Sequence, residues 1–498
     1  MGPPVRGFRA RPFEGHTAMS RYVRPVLALV LLVLGLAPAR GDDAPAPHRV
    51  YQRGTDGKAD IALGREIPAE AKVRLLDADG KPVEGVSVAD GKLSGVPTGG
   101  PYTIEAGDTK IGPVFVGDLW VLAGQSNMEG YGDLTNVQPP HPLVQSLGMD
   151  GKWVQAEEPL HWLVDSPDPV HSGDPATREA RSKQQHASRK KGAGLGLPFA
   201  VAMVEATDVP VGLIPAAHGG TSMAQWSPAL KEQGGASLYG SMMRSVKLAG
   251  GKVKGVLWYQ GESDANPQAV AVYPEVFAAF IESVRGDLGQ PELPFYYVQL
   301  SRFVIAGPQP GPWNAVQEAQ RLLPRKVPNT AFVAAIDLEL DDLIHVGVEG
   351  QKRLGRRLAN VALHELFSKE KGATQPDLES VTRGEGNTLK VKLRGVNTRK
   401  VMGGGNGLEG HAVRGFSVDR HIGGFSLRTR EGTEIPLIYD ARVEDDQAPD
   451  TVTLKLTGPI PAGSFLWYGY GLDPYCNLTD TADMAVPVFG PVPLDDVK

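Results

Sequence analysis

The chain has 498 residues, a formal net charge of −6 and 41% hydrophobic residues, enough apolar material for more than one core. Its acidic balance excludes a protein that works by neutralising nucleic-acid phosphates, which requires a basic face. With Cys476 as the single cysteine there is no intramolecular disulfide, and the turn-like Asp473-Pro474-Tyr475-Cys476-Asn477 offers no basic partner to activate a thiol nucleophile.

Residues 1–41 read as a leader and secretory signal peptide. Six arginines stand there against Glu14 alone, so the rest of the chain carries a net charge of −11. Arg21 and Arg24 precede the apolar run from Pro25 to Leu36, and Ala37-Pro38-Ala39 supplies small residues for cleavage, with Met19 as the natural start. The run is too short to span a bilayer comfortably. The expected mature protein is secreted or periplasmic, with no stable membrane insertion.

Residues 48–115 show short alternating runs, such as Val73-Arg74-Leu75-Leu76 and Tyr102-Thr103-Ile104-Glu105, divided by the turn signals Asp79-Gly80 and Gly99-Gly100-Pro101. This pattern predicts a small antiparallel β domain. From 116 to 370 the pattern changes to apolar strand candidates at 118–123, 209–216, 253–259, 295–300 and 331–336. Helix candidates at 198–206, 236–249, 270–288, 313–323 and 348–367 lie between and after them. The last carries Leu354, Leu358, Val361, Ala362 and Leu366 on one face. Near-continuous apolar strands alternating with helices predict an α/β fold whose parallel sheet is covered on both sides. Reactive groups then belong in the loops that follow strand C-termini. The polar, Arg- and Lys-rich segment 165–196 has no clear period and reads as a solvated loop; a lid is the sharper alternative. Residues 375–498 return to β patterning and predict a second β domain, sandwich-like. No internal repeat is present.

Four blocks carry the chemistry. Gly124-Gln125-Ser126-Asn127-Met128 places Ser126 at a strand-to-helix turn, where its own N–H can face an oxyanion. In isolation the block would be no more than a turn with a serine cap. Ala217-His218-Gly219-Gly220-Thr221 follows the second strand, and its glycines let backbone approach a substrate. His218, without a local carboxylate, reads as a packing residue rather than a base. Trp258-Tyr259-Gln260-Gly261-Glu262-Ser263-Asp264 ends the third strand; Gln260 is a candidate amide donor to an oxyanion, Glu262 a buttress, and Asp264 part of a solvated turn. Asp341-Asp342-Leu343-Ile344-His345 follows the fifth strand. His345 lacks the further ligands a metal would need, so general base is its better assignment. A serine hydroxyl needs such an imidazole and a carboxylate behind it to become a nucleophile.

Taken together, Gly-Gln-Ser-Asn-Met at 124–128, Gly-Gly-Thr at 219–221, Trp-Tyr-Gln-Gly-Glu-Ser-Asp at 258–264 and Asp-x-x-His at 342–345 resemble the sialate O-acetylesterase-like branch of the SGNH hydrolases. The resemblance covers residues 116–367. The tail from Trp467 to Leu478 also looks like the terminal sandwich of longer members. It implies a three-layer α/β/α hydrolase domain, independent of metal or cofactor, with Ser126 as nucleophile, His345 as base and Asp342 as its partner. It also implies an oxyanion hole made of the N–H groups of Ser126 and Gly219 and the Gln260 side chain, with Gln125, Gly220 and Glu262 in support. This branch carries Gln where the wider superfamily has Asn in the third block. A second departure is His345-Val346, where many relatives have His-Pro.

The resulting expectation is an exported serine esterase that removes O-acetyl groups from carbohydrates, whether sialic acid or plant and algal polysaccharide esters, through an acetyl-serine intermediate. Two alternatives use the same chain differently: a carbohydrate-binding protein with a degenerate hydrolase core, and a lipase or thioesterase of the same superfamily.

Overall fold

A computed structural model describes residues 44–497 except 65–66, 68–70, 308, 369, 399–408, 411–420 and 444–447. The predicted leader at 1–41 lies outside the described residues. The organising element is the 16-residue strand Thr109–Gly124. Its first half pairs antiparallel with Gly99–Ala106, which pairs with Val73–Leu76. Its second half enters the main sheet. Residues 115 and 116 therefore lie within one strand.

The main sheet runs in the order Trp153–Gln155, Val144–Leu147, Val211–Pro215, Thr109–Gly124, Gly255–Tyr259, Phe295–Gln299 and Thr330–Ala334. These pairings are parallel except at the edge strand Trp153–Gln155. The chain enters at the middle strand, fills one side, then crosses to the other. The crossing leaves a crevice at the C-terminal ends of the three central strands, where sheets of this topology bind ligands.

Neighbouring strand residues point to opposite faces, and both faces are covered. Trp120 meets Phe199 of helix Gly196–Thr207 edge-on at 4.9 Å and lies 6.1 Å from Tyr296. Phe295 and Tyr297, on either side of Tyr296, face Phe277 of helix Tyr273–Leu288 instead. Double coverage is why these strands are apolar runs rather than alternating ones. Helix Val348–Leu366 packs on Gly196–Thr207, and Gly311–Leu322 on Tyr273–Leu288. This is the α/β architecture that the apolar periodicity predicts, with its helices within a few residues of their expected limits, whereas the strand expected at 118–123 begins already at Thr109.

Two strands of the main sheet, Val144–Leu147 and Trp153–Gln155, have no counterpart in the sequence reading. Val144–Leu147 is fully buried yet half polar, because Gln145 bonds to His48 and to the Pro142 carbonyl. Segment 165–196, expected as a loop, contains the helix Arg178–Ser188 and the strand Lys191–Ala193, which pairs with Gly132–Asp133. The helix buries none of its residues, so no apolar period marks it. Beyond the sheet, Asp377–Arg383, Thr388–Arg394, Ile438–Arg442 and Thr451–Leu456 form one four-stranded antiparallel sheet, and Glu434–Ile435, Phe425–Arg428, Phe465–Tyr468 and Phe489–Pro493 another. Both bury Leu389, Val391, Leu427, Leu454, Leu466 and Phe489 in a common core. Cys476 is buried there. Among the described residues no helix is long and apolar enough to cross a membrane.

Candidate active site

The turn that presents Ser126 depends on Gly124. Its φ of +132° suits glycine, and a Cβ there would lie 2.2 Å from the Tyr259 carbonyl oxygen of the adjacent strand. The Gln125 N–H donates to that carbonyl at 2.8 Å, which locks the turn to strand Gly255–Tyr259 before Ser126 opens the short helix Ser126–Glu129. A Gly124→Ala chain is expected to lose at least about 2 kcal/mol of stability through strain and backbone clash, read as a lower urea midpoint.

On the other side, the loop after Thr330–Ala334 folds on itself, with Asp341 N–H donating to the His345 carbonyl at 2.8 Å. Asp342 Oδ1 accepts from the backbone N–H groups of Ile344 and His345 at 2.9 and 2.8 Å, and Oδ2 lies 2.7 Å from His345 Nδ1. His345 Nε2 lies 2.9 Å from Ser126 Oγ. With the Nδ1 proton held by Asp342, Nε2 is left as acceptor for the serine hydroxyl. Burial would raise the Asp342 carboxyl, but the imidazole and the two backbone donors override it and hold it below its usual range. Asp341 is engaged elsewhere, accepting from Asp133 N–H at 3.0 Å. Replacing Asp342 with Asn should leave the fold intact and lower kcat by about 10²–10⁴-fold, because the imidazole loses its tautomer and its counter-charge; steady-state kinetics with an acetyl ester measures this.

Distant parts of the chain are joined here by Asn127, which is fully buried. Its Nδ2 donates to Glu262 at 2.9 Å and to the Ile344 carbonyl at 3.3 Å, while its Oδ1 accepts from Val346 N–H at 3.0 Å. One amide thus clamps the loop carrying His345 against the loop carrying Ser126. Burial pushes the Glu262 carboxyl up to about 7 against the lowering effect of Asn127. Gln125 accepts from Ser263 N–H at 3.4 Å. Tyr131, unmarked in the sequence reading, stacks on the His345 ring at 4.1 Å.

The expected oxyanion donors differ in their availability. Gly219 and Gly220 occupy a turn beside Ser126, but the Gly219 N–H donates to Glu129 Oε2 at 2.9 Å. Gln260 is fully buried, and its amide nitrogen donates to the Asp264 carboxylate and to the Thr221 carbonyl. In this geometry the Gln260 amide ties two loops together instead of pointing free hydrogens at an ester. Asp264, expected in a solvated turn, is buried and also accepts from Met223 N–H at 2.8 Å. His218 packs against His171, Nδ1 to Nδ1 at 3.1 Å, and burial holds both imidazoles below their usual range, His171 near 3 with a further lowering from His218. A cavity of about 460 Å³ is lined by Glu129, Tyr131, Leu163, Gln185, Arg189 and Lys191. Among the described residues no group of three or more His, Cys, Asp or Glu is placed to hold a metal ion.

Residues 116–364 match the family model described as carbohydrate esterase, sialic acid-specific acetylesterase. The chain belongs to that family. It is accordingly a carboxylic ester hydrolase. A probable carbohydrate esterase of Arabidopsis thaliana is 30% identical over 274 residues, 50% of this chain and 92% of the plant protein. Human sialate O-acetylesterase is 28% identical over 286 residues, 48% of this chain and 53% of the human one; the chain thus spans about half of that relative. In fold, a carbohydrate acetylesterase from Xanthomonas citri superposes with a TM-score of 0.62 at 22% identity, covering 91% of this chain and 99% of the other.

Proposed function

We propose that this carbohydrate esterase is an exported serine O-acetylesterase in which Ser126, His345 and Asp342 form the catalytic triad. The observation that carries the reading is the continuous relay from Asp342 Oδ2 through His345 to Ser126 Oγ, at 2.7 and 2.9 Å. Ser126 Oγ attacks the acetyl carbonyl while Nε2 takes its proton, and the imidazolium is stabilised by Asp342. The N–H groups of Ser126 and Gly219 face the developing oxyanion. Collapse expels the sugar alcohol, which takes the proton from His345, and leaves acetyl-Ser126. Water, deprotonated by His345, then attacks the acyl carbon, and collapse releases acetate as the imidazolium returns the proton to Ser126 Oγ.

The substrate is an O-acetylated carbohydrate, a reading that family membership supports. Acetate release from a panel of acetylated sialosides, xylans and pectins tests this, with longer acyl esters as controls. Preference for longer chains would favour a lipase or thioesterase instead. Export is supported by the charged, apolar and small-residue order of residues 21–39. N-terminal sequencing of the protein recovered outside the cytoplasm should begin beyond Ala39.

A further inference from the structure

The Gly219 N–H, one of the two amides assigned to the oxyanion, already has a carboxylate in place, Glu129 Oε2 at 2.9 Å. This amide lies close to the nucleophile: a Cβ built at Gly219 would be 3.1 Å from the carboxylate oxygen and 3.4 Å from Ser126 Cβ. Glu129 is buried, three residues after the nucleophile on the same short helix. Its other oxygen, Oε1, lies 3.7 Å from Arg189 Nη2. That guanidinium is fixed by the carbonyls of Lys191 and His161 at 2.7 and 2.6 Å and by the Trp162 ring beneath it. One carboxylate oxygen thus holds the amide beside Ser126 while the other already faces the guanidinium in the cavity wall.

Resting on the triad reading above, we propose that Glu129 is a positioning residue of the reaction: its carboxylate holds the Gly219 amide toward Ser126 in the free enzyme and yields it to the ester oxygen by turning to Arg189. The ester and the carboxylate then compete for one N–H. An ionised acceptor makes roughly twice as strong a bond as a neutral one, so the ionised form is the harder competitor. Burial pushes Glu129 up to about 7, opposed by Arg189 and the Gly219 bond. Several charged or titratable groups surround it. Arg189 faces it and is followed by Lys190 and Lys191 in the same wall, with Glu158 and His161 near Arg189. Tyr131 lies next to it in its own loop, with His345 and Asp342 across the Tyr131 ring, and His218 precedes Gly219. Below about 7 the acid is neutral and the amide is easily taken; above it the amide is held. The value of kcat/KM therefore falls as pH rises through this range.

The test is kcat/KM for p-nitrophenyl acetate from about pH 6 to about pH 9 in the wild type, Glu129→Gln and Arg189→Gln, since this ratio reports groups of the free enzyme. The wild type should lose about fivefold on its alkaline side, the worth of strengthening one hydrogen bond by charge, with kcat changing less because bound substrate has already displaced the carboxylate. Glu129→Gln should abolish the fall. Arg189→Gln should move it to higher pH, because the guanidinium favours the ionised form. Three parallel profiles, or a uniform drop in kcat with an unchanged profile, would overturn the proposal. Should Glu129→Gln fail to fold, the direction of the Arg189→Gln shift decides. Activity retained in Ser126→Ala would instead sink the triad reading, so the two failures are distinguishable.

Discussion

Replacing Ser126 with Ala should lower turnover of an acetyl ester by roughly 10³-fold or more, the scale of nucleophile deletions in serine hydrolases. The substitution removes one oxygen from a largely buried position, 7% exposed, whose backbone is set by Gly124, Gln125 and the short helix that follows. Folding should therefore survive, and thermal melting should confirm it. The backbone donors remain, so residual rate above the uncatalysed reaction is expected. A second signature is mechanistic: quenched wild-type enzyme should carry an added acetyl group detectable by intact-mass spectrometry, and the variant should carry none. A cleanly folded Ser126→Ala protein with undiminished turnover would remove the serine mechanism.

The largest expected effect on stability lies at Asp337, between strand Thr330–Ala334 and the loop bearing Asp342 and His345. Its carboxylate receives a bidentate pair from Arg357 at 2.7 Å on each oxygen and a further bond from Arg353 at 2.9 Å. The Arg357 side chain is 0% exposed and that of Asp337 is 1% exposed. Arg357 also donates to the Ala334 carbonyl at 2.8 Å, and Arg353 reaches Asp483 near the C-terminus. Asp337→Ala leaves the buried Arg357 guanidinium with one carboxylate contact, Asp483 at 3.3 Å, in place of its bidentate partner, and the loss of a buried ion-pair partner costs about 3–5 kcal/mol. Removing both charges together, as Asp337→Ala with Arg357→Met, should cost less than the sum of the single changes, because the uncompensated charge disappears. Urea denaturation of the two single variants and the double variant measures the coupling. A loss below about 1 kcal/mol in Asp337→Ala would mean that the guanidinium finds solvent and that the pair does not anchor the loop.

Much of the fold is legible in the residues because double burial leaves a mark that composition records. The runs at 118–123, 253–259 and 295–300 are apolar on both sides, and the heptad-like spacing of Leu354, Leu358 and Val361 declares a helix with one buried face. The helix Arg178–Ser188 leaves no such mark because none of its faces is buried. The strand Val144–Leu147 is equally silent, since its buried Gln145 is satisfied by His48, distant in sequence, and by the local Pro142 carbonyl.

The candidate site divides along the same line. Residue type and strand-end position single out Ser126, His345 and Asp342, because nucleophile, base and carboxylate are chemically distinctive and follow recognisable strands. What those residues touch is a matter of relative position. Nothing local marks Asn127, on which three loops converge, or Glu129, around which Gly219 and Arg189 close. Gln260 reads as a free amide until Asp264 and Thr221 occupy its hydrogens.

The amino-acid order by itself determined the alternation of strands and helices and which side chains are chemically able to react. These are local properties, set by periodicity and functional group. Only the tertiary structure decided the 2.9 Å approach of Ser126 to an imidazole 219 residues away, the engagement of the Gln260 amide, and the carboxylate at the Gly219 N–H. Hydrogen bonds act within about 3 Å, a separation that loops from different strands reach only after the sheet has assembled.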